Sequence, residues 1–101
     1  MTERNDEFWV EVSYVQMSKN RRQVLRHLAD ADRPLTPTEL SERMQVAFNS
    51  ASRAVRQLAH RGLIVCLNPE APRFRRYRLT ESGRNVLRTL QEVEDSDHGE
   101  A

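Results

Sequence analysis

Few side chains in this sequence could do catalytic or metal chemistry, and they are widely spaced. His27, His60 and His98 are far apart in the chain, so they match no zinc-ligand spacing. Cys66 is the only cysteine, which excludes an internal disulfide and a cysteine-rich metal site. The three glycines are isolated, so no glycine-rich loop could cradle a phosphate. We therefore expect a protein that is not an enzyme and that binds neither a cofactor nor a metal.

Arginine is the residue type whose placement indicates a function. The net charge of +1 conceals a strong division along the chain. Residues 1–18 carry one basic and four acidic side chains, residues 19–78 thirteen and five, and residues 79–101 two and six. A middle segment of net charge +8 between acidic ends is typical of a nucleic-acid-binding surface, because phosphates attract it. Charge alone leaves open the alternative of a merely solvated arginine-rich face.

A predicted helix at residues 49–60 concentrates this signal. One face is small or apolar, and the other carries seven polar side chains: Asn49, Ser50, Ser52, Arg53, Arg56, Gln57 and His60. Surface helices normally mix acidic with basic residues three or four positions apart. This helix has no acidic residue, and stability alone gives no reason for that. We interpret its polar face as a contact surface for a polyanion.

The flanking sequence predicts the elements that would position this helix. Ser18 is an N-cap for a helix of about 12 residues, and Thr36-Pro37-Thr38-Glu39 forms a capping box for a short second helix. We expect Asn49 to cap the third helix and Gly62 to end it. Two β-prone runs, residues 63–67 and 74–79, predict a basic hairpin in which Cys66 is a buried small side chain. Thr80 then begins a helix that reaches about residue 94.

The two ends of the chain are predicted separately. Residues 8–17 fit either a strand, by alternation of Val10, Val12 and Tyr14, or a helix, by the spacing of Trp9, Val12 and Val15. We divide the chain into an N-terminal segment (1–17) that could contact a second subunit, a central domain of helices and hairpin (18–94) and an acidic disordered tail (95–101). No run is apolar enough to cross a membrane, and the start lacks the order of a signal peptide, so we expect a cytoplasmic protein.

Two stretches carry a family resemblance: SRAVRQLAHRGLI (residues 52–64) and YRLTESG (residues 77–83). With the order of elements around them, they resemble the winged helix-turn-helix of MarR-like and ArsR-like regulators. The chain is especially similar to small archaeal regulators, including repressors of the PhiH type, over roughly residues 18–90. The implied fold is mainly α with a small β-hairpin (α+β): a three-helix core, a two-strand wing and a C-terminal helix.

The resemblance also implies a function and a set of contact residues. The chain would be a sequence-specific double-stranded DNA-binding regulator, expected to be a repressor acting as a homodimer, with its effector unspecified. Helix 49–60 would enter the major groove, the start of the preceding helix would touch phosphate, and the hairpin would be a basic wing. The DNA-binding residues would be Thr36, Thr38, Asn49, Ser50, Ser52, Arg53, Arg56, Gln57, Arg73, Arg75 and Arg76. A winged-helix protein-interaction module in a transcription or chromosome complex is the alternative.

Overall fold

The computed structural model describes residues 2–100 and, within them, the side chains of residues 6–95. Five helices and two strands follow one another in the order α1 (Thr2–Gln16), α2 (Lys19–Asp30), α3 (Pro37–Met44), α4 (Phe48–His60), β1 (Ile64–Cys66), β2 (Tyr77–Leu79) and α5 (Glu81–Glu100). Among the described residues, no helix is long and apolar enough to cross a membrane. The mainly helical architecture with a small hairpin is the one that the sequence predicts.

Three helix starts have the predicted hydroxyl caps. The Ser18 hydroxyl accepts a hydrogen bond from the backbone N–H of Arg21 at the start of α2 (3.2 Å). At α3 the predicted capping box is complete, with a Thr36 side chain that accepts from the Glu39 amide and a Glu39 carboxylate that accepts from the Thr36 amide. Thr80 accepts from the amide of Gly83 at the start of α5 (3.1 Å). Each cap satisfies a backbone donor that a helix leaves unpaired.

The start of α4 differs from the prediction. Asn49 is not its N-cap, because the helix begins at Phe48 and the cap residue is Ala47, which offers no side-chain hydrogen bond. The Ala47 carbonyl instead accepts from the amides of Ser50 (3.0 Å) and Ala51 (3.2 Å). Backbone bonds alone therefore close the first turn, and the Asn49 side chain is left exposed on the helix surface.

The two chain ends also show differences. Residues 8–17 belong almost entirely to helix α1, so the strand alternative is wrong. The reason is the helical period, which brings Val12 and Val15 to the core (3% and 0% exposed) and leaves Val10 outside (55%). Helix α5 extends to Glu100, beyond its predicted end at about residue 94, and the disorder predicted for residues 95–101 stays a prediction. No proline interrupts residues 80–100, and the helix continues past its predicted end.

One hydrophobic core lies beneath all five helices and the hairpin. Its largest fully buried side chains come from several different elements: Leu25, Leu35, Leu40, Leu58, Leu63 and Ile64. The apolar stripe of α5 belongs to this core through Val86, Leu87 and Leu90, each less than 5% exposed. Gly83 explains the glycine in YRLTESG, because a Cβ there would lie 2.0 Å from the backbone oxygen of Leu63. Helix α5 thus packs directly onto the chain entering β1.

The sheet is a small antiparallel hairpin with one additional bridge. Ile64 pairs with Leu79 and Cys66 with Tyr77, so both strands are shorter than predicted. The missed contact is a bridge from Leu35 to Tyr77, whose amides and carbonyls exchange hydrogen bonds of 3.1 and 2.9 Å. Leu35 directly precedes the cap of α3. The bridge therefore ties the start of α3 to the base of the wing, which we define as residues 64–79.

Candidate nucleic-acid interface

Helix α4 presents its polar face to solvent because its apolar side chains are used in the core. Ala51, Ala54, Val55 and Leu58 are buried on one side. At 100° per residue, the opposite side carries four exposed polar side chains: Asn49, Arg53, Arg56 and His60. Three further predicted contact residues are half-buried at the edges of this face: Ser50, Ser52 and Gln57. The structure thus separates the predicted set into a central group and two flanks.

Arg56 is ordered from within its own helix. Its Nη1 donates to the Ser52 hydroxyl one turn earlier, at 2.9 Å. Ser52 lies on the flank that faces the wing, and Arg53 lies on the exposed centre. A guanidinium offers five donors in a fixed fork, so most of the Arg56 donors are left for an external acceptor. Ser52 therefore orients Arg56, which the sequence predicts on the same contact surface.

Gln57 lies on the other flank, where a neighbouring helix holds it. Its Oε1 accepts from Arg21 Nε at 3.0 Å, and Arg21 Nη1 donates to the backbone oxygen of Tyr14 at 2.7 Å. The guanidinium groups of Arg21 and Arg61 also lie 3.7 and 3.9 Å from the Tyr14 ring centroid. Arg61 completes the group by pairing with Glu11 of α1 (3.1 Å). One side of α4 is thereby fixed to α1 and α2.

The start of α3 provides hydroxyls and a helix N-terminus. The Thr36 oxygen accepts within the capping box, which leaves its hydroxyl hydrogen able to donate outward. Thr38 is exposed beside it. The only acid of this first turn, Glu39, is paired with Arg33 (2.9 Å). This ion pair, with the Thr36 amide, lowers the pKa of Glu39 to about 2.

The wing loop is held in one conformation by its own hydrogen bonds. Asn68 Nδ2 donates to the Phe74 carbonyl (3.2 Å), and Asn68 Oδ1 accepts from the Arg76 amide (2.8 Å). Arg75 Nε donates across the loop to the Ala71 carbonyl (2.8 Å). Cys66, predicted to be buried, is half-buried and lies 3.7 Å from the same Asn68 oxygen. The predicted wing arginines Arg73, Arg75 and Arg76 are all exposed.

An open cleft of about 530 Å³ joins these three parts of the surface. It is lined by Thr36, Pro37, Thr38, Phe48, Ser52, Arg56, Pro72, Arg73, Phe74, Arg75 and Tyr77, and we call it the wing cleft. It brings together six predicted contact residues: Thr36, Thr38, Ser52, Arg56, Arg73 and Arg75. The other five lie outside it: Asn49, Ser50, Arg53, Gln57 and Arg76. No lining residue is acidic, and burial raises the pKa of Tyr77, so that phenol is neutral at physiological pH.

Two aromatic residues in the wing cleft were missed by sequence reasoning. Phe48 is 51% exposed and Phe74 is 76% exposed. Phe48 directly precedes the predicted helix 49–60 and Phe74 begins the predicted strand 74–79, positions at which an aromatic residue usually packs on the core. The available signal was the interleaving of an aromatic residue with arginines in RFRRYR, which is common at nucleic-acid surfaces. The same pattern in the sequence also fits a half-buried strand, so it does not by itself indicate a nucleic-acid contact.

The geometry can be compared with known proteins. A family model described as the HVO_A0261 N-terminal domain matches residues 9–98, which is nearly the whole chain. The chain belongs to the HVO_A0261 N-terminal domain family. The match includes the second half of α1, all of α2, α3, α4 and the wing, and most of α5, together with every predicted contact residue. A search among curated protein sequences finds no significant match to this member of the family.

Solved structures establish the fold of this HVO_A0261 N-terminal domain. A mutant of MepR from S. aureus has a TM-score of 0.74 at 18% identity, covering 97% of this chain and 73% of that one. A MarR family protein from Bacillus stearothermophilus gives 0.71 at 18% (98% and 71% coverage), and wild-type apo MarR from E. coli gives 0.67 at 22% (90% and 68%). The predicted MarR-like winged-helix fold is confirmed. The chain spans between 53% and 78% of the length of eight such structures.

The chemistry available to this HVO_A0261 N-terminal domain is that of anion contact. Its solvent-facing groups around the wing cleft are hydroxyls, guanidinium groups and two aromatic rings, and none of these is an acid. Among the residues that the structure describes, no group of three or more histidine, cysteine or carboxylate side chains could hold a metal ion. Guanidinium groups bind phosphate and guanine edges in the same forked geometry. The surface therefore fits a polyanion that also offers flat, stacked faces.

Proposed function

We propose that the chain is a sequence-specific regulator of transcription that binds duplex DNA as a homodimer and acts as a repressor. The observation that carries this proposal is one continuous cleft whose lining holds arginines, hydroxyls and aromatic rings and no acidic side chain. The exposed face of α4, the start of α3 and the arginine-rich wing meet around the wing cleft. Duplex DNA presents grooves bordered by phosphates. A protruding helix can therefore enter a groove while the protein surface on either side of it contacts the phosphates.

In this proposal α4 lies in the major groove. That groove is about 12 Å wide, which admits one helix of about 10–12 Å diameter. Arg53, Arg56 and Asn49 at the centre of the exposed face are then the residues that read base edges. Arginine reads guanine and asparagine reads adenine through paired hydrogen bonds. Gln57 contributes less to the recognition of bases, because its side-chain carbonyl already accepts a hydrogen bond from Arg21.

Phosphate contacts flank the helix on the side of the wing cleft. Thr38 and the hydroxyl hydrogen of Thr36 lie at the positive end of the α3 dipole, where an anion is favoured. The guanidinium groups of Arg73, Arg75 and Arg76 meet the DNA backbone from the wing. These contacts add affinity and fix the register, whereas the α4 contacts add sequence preference. Affinity is therefore expected to fall steeply with salt concentration.

The proposed homodimer uses α1. Three large apolar side chains of the α1 region remain exposed: Trp9 (51%), Val10 (55%) and Met17 (81%). The apolar stripe of α5 contributes little, because three of its residues are in the protomer's own core, and among its described side chains Val93 is the one that stays exposed (38%). A two-fold dimer would place two α4 helices on half-sites about 34–36 Å apart.

The decisive experiment measures binding to duplexes selected from a random pool. Arg53→Ala and Arg56→Ala are compared with Arg88→Ala, which removes the same charge from the exposed surface of α5. We expect the two α4 variants to lose about 1–3 kcal/mol for the selected duplex, while Arg88→Ala stays near wild type. The readout is fluorescence anisotropy at two salt concentrations.

Two outcomes would contradict the proposal. Equal affinity of the α4 variants and wild type removes α4 as the recognition helix. If the protein binds neither random nor selected duplex, or if its binding does not depend on salt concentration, the alternative of a protein-interaction module is favoured. Arg75→Ala adds a separate check on the wing, since loss of one phosphate contact lowers the salt slope by about one unit.

A further inference from the structure

Phe74 has two features that folding does not explain. Its side chain is 76% exposed, and its backbone has a φ of +60°, in the left-handed region that L side chains rarely adopt. An aromatic ring in water gains nothing from the hydrophobic effect. Glycine or asparagine would adopt the same backbone conformation at less cost. The ring is therefore accounted for by a contact outside the protein.

The wing loop presents this ring in a fixed position. The Phe74 carbonyl accepts from Asn68 Nδ2, and the same amide side chain holds the backbone of Arg76. The Leu67 amide donates to the Arg76 carbonyl at 2.8 Å, which closes the loop at its base. A side chain whose support is already ordered loses less conformational freedom on binding. Phe74 is thus preorganised for contact although it lies in solvent.

Charge identifies the kind of partner. Arg73 and Arg75 adjoin Phe74 in sequence, and all three line the wing cleft with Arg56. An apolar protein surface would have to remove water from these guanidinium groups without pairing them, which is costly. Duplex DNA pairs them with phosphates and offers stacked bases to the ring. In the minor groove, apolar side chains act as wedges that partly unstack one base step.

We propose that Phe74 is such a wedge, entering the minor groove beside the half-site contacted by α4. This inference rests on the proposed DNA-binding function and adds a source of sequence preference to it. Pyrimidine–purine steps such as TA unstack most easily, so the protein prefers one at the position of the ring. That preference needs no hydrogen bond to the step. The wing then reads deformability, while α4 reads base edges.

The test uses Phe74→Gly and Phe74→Leu with duplexes in which a TA step is moved one position at a time along the flank of the selected half-site. We expect wild type to favour one position of the TA step over a GG step by about tenfold, which equals 1.4 kcal/mol. Phe74→Gly loses this preference, and Phe74→Leu keeps much of it because a leucine can still act as a wedge. The salt slope stays the same in all three proteins, since no charge changes.

Thermal unfolding separates this role from a structural one. Phe74→Gly removes an exposed ring and a strained φ, so its melting temperature equals or exceeds that of wild type while its DNA affinity falls. A lower melting temperature would overturn the inference, and so would an unchanged flank preference in a variant that binds the duplex. Failure of wild type to bind any duplex would instead contradict the proposed function itself.

Discussion

At the scale of single residues, Glu39 couples the start of α3 to pH. One carboxylate oxygen accepts from the Thr36 amide, and the other pairs with Arg33. The Arg33 hydrogen bond, followed by the Thr36 amide, lowers the pKa of Glu39 to about 2. A carboxylate in an unfolded chain titrates near 4.3. Because the folded pKa is the lower one, the stabilisation is present above about pH 4.3 and is lost as the pH falls towards 2.

We therefore predict a pH-dependent effect of Glu39→Gln. The amide keeps a carbonyl for the Thr36 N–H but loses the ion pair with Arg33, so the variant is less stable at pH 7 by about 0.5–1 kcal/mol. The difference from wild type is smaller at pH 3, where the unfolded chain is already protonated. Urea unfolding at pH 7, 5 and 3 measures it, with Glu42→Gln on the exposed side of the same helix as control. A difference that stays constant with pH would contradict the linkage.

At the scale of elements, the orientation of α4 depends on a contact that its own sequence does not reveal. Arg21 of α2 donates to Gln57 of α4 and to the last turns of α1 through the Tyr14 carbonyl. One guanidinium thus connects three helices, and the helix proposed to read DNA is fixed relative to the helix proposed to dimerise. Hydrogen bonds from a charged donor typically contribute about 1.5–3 kcal/mol.

A double-mutant cycle tests this connection. Arg21→Met keeps the aliphatic part of the side chain and removes its donors, and Gln57→Ala removes the acceptor. We expect each to destabilise the protein and the double variant to lose less than the sum, with a coupling energy of about 0.5–3 kcal/mol. Urea unfolding of the four proteins gives the result. Additive losses would mean that the 3.0 Å contact contributes nothing.

At the scale of the whole molecule, the exposed apolar face of α1 predicts the oligomeric state. Trp9, Val10 and Met17 are each more than half exposed, whereas the rest of α1 packs on the core through Val12 and Val15. We expect a mass twice that of the 11.8 kDa chain, and a shift to monomer in Trp9→Glu. Sedimentation equilibrium measures both, with Leu67→Glu on the wing as control because it is also an exposed apolar residue (41%). A monomeric wild type would contradict the dimer.

Local patterns along the chain were enough to predict the elements and the character of the surface. Caps and the capping box use residues three positions apart, so Ser18, Thr36 and Thr80 could be recognised without knowing the rest of the fold. The helical period likewise separated the core of α4 from its polar face. The prediction of Asn49 as the N-cap was wrong although asparagine is a common capping residue. The Ala47 carbonyl accepts the hydrogen bonds of the first turn, so no side-chain cap is used there. Local signals are reliable only where no competing local arrangement exists.

Which of the predicted residues lie together depends on contacts between distant parts of the chain. The bridge between Leu35 and Tyr77 joins segments about forty positions apart, and no local pattern encodes it. That bridge sets the wing beside the start of α3 and so creates the wing cleft. The packing of α4 leaves Arg53 and Arg56 exposed at the centre of its polar face, whereas Gln57 at the edge is hydrogen-bonded to Arg21. Phe74 is likewise exposed because it lies in the wing loop and not in the strand that the sequence predicts, since β2 begins only at Tyr77.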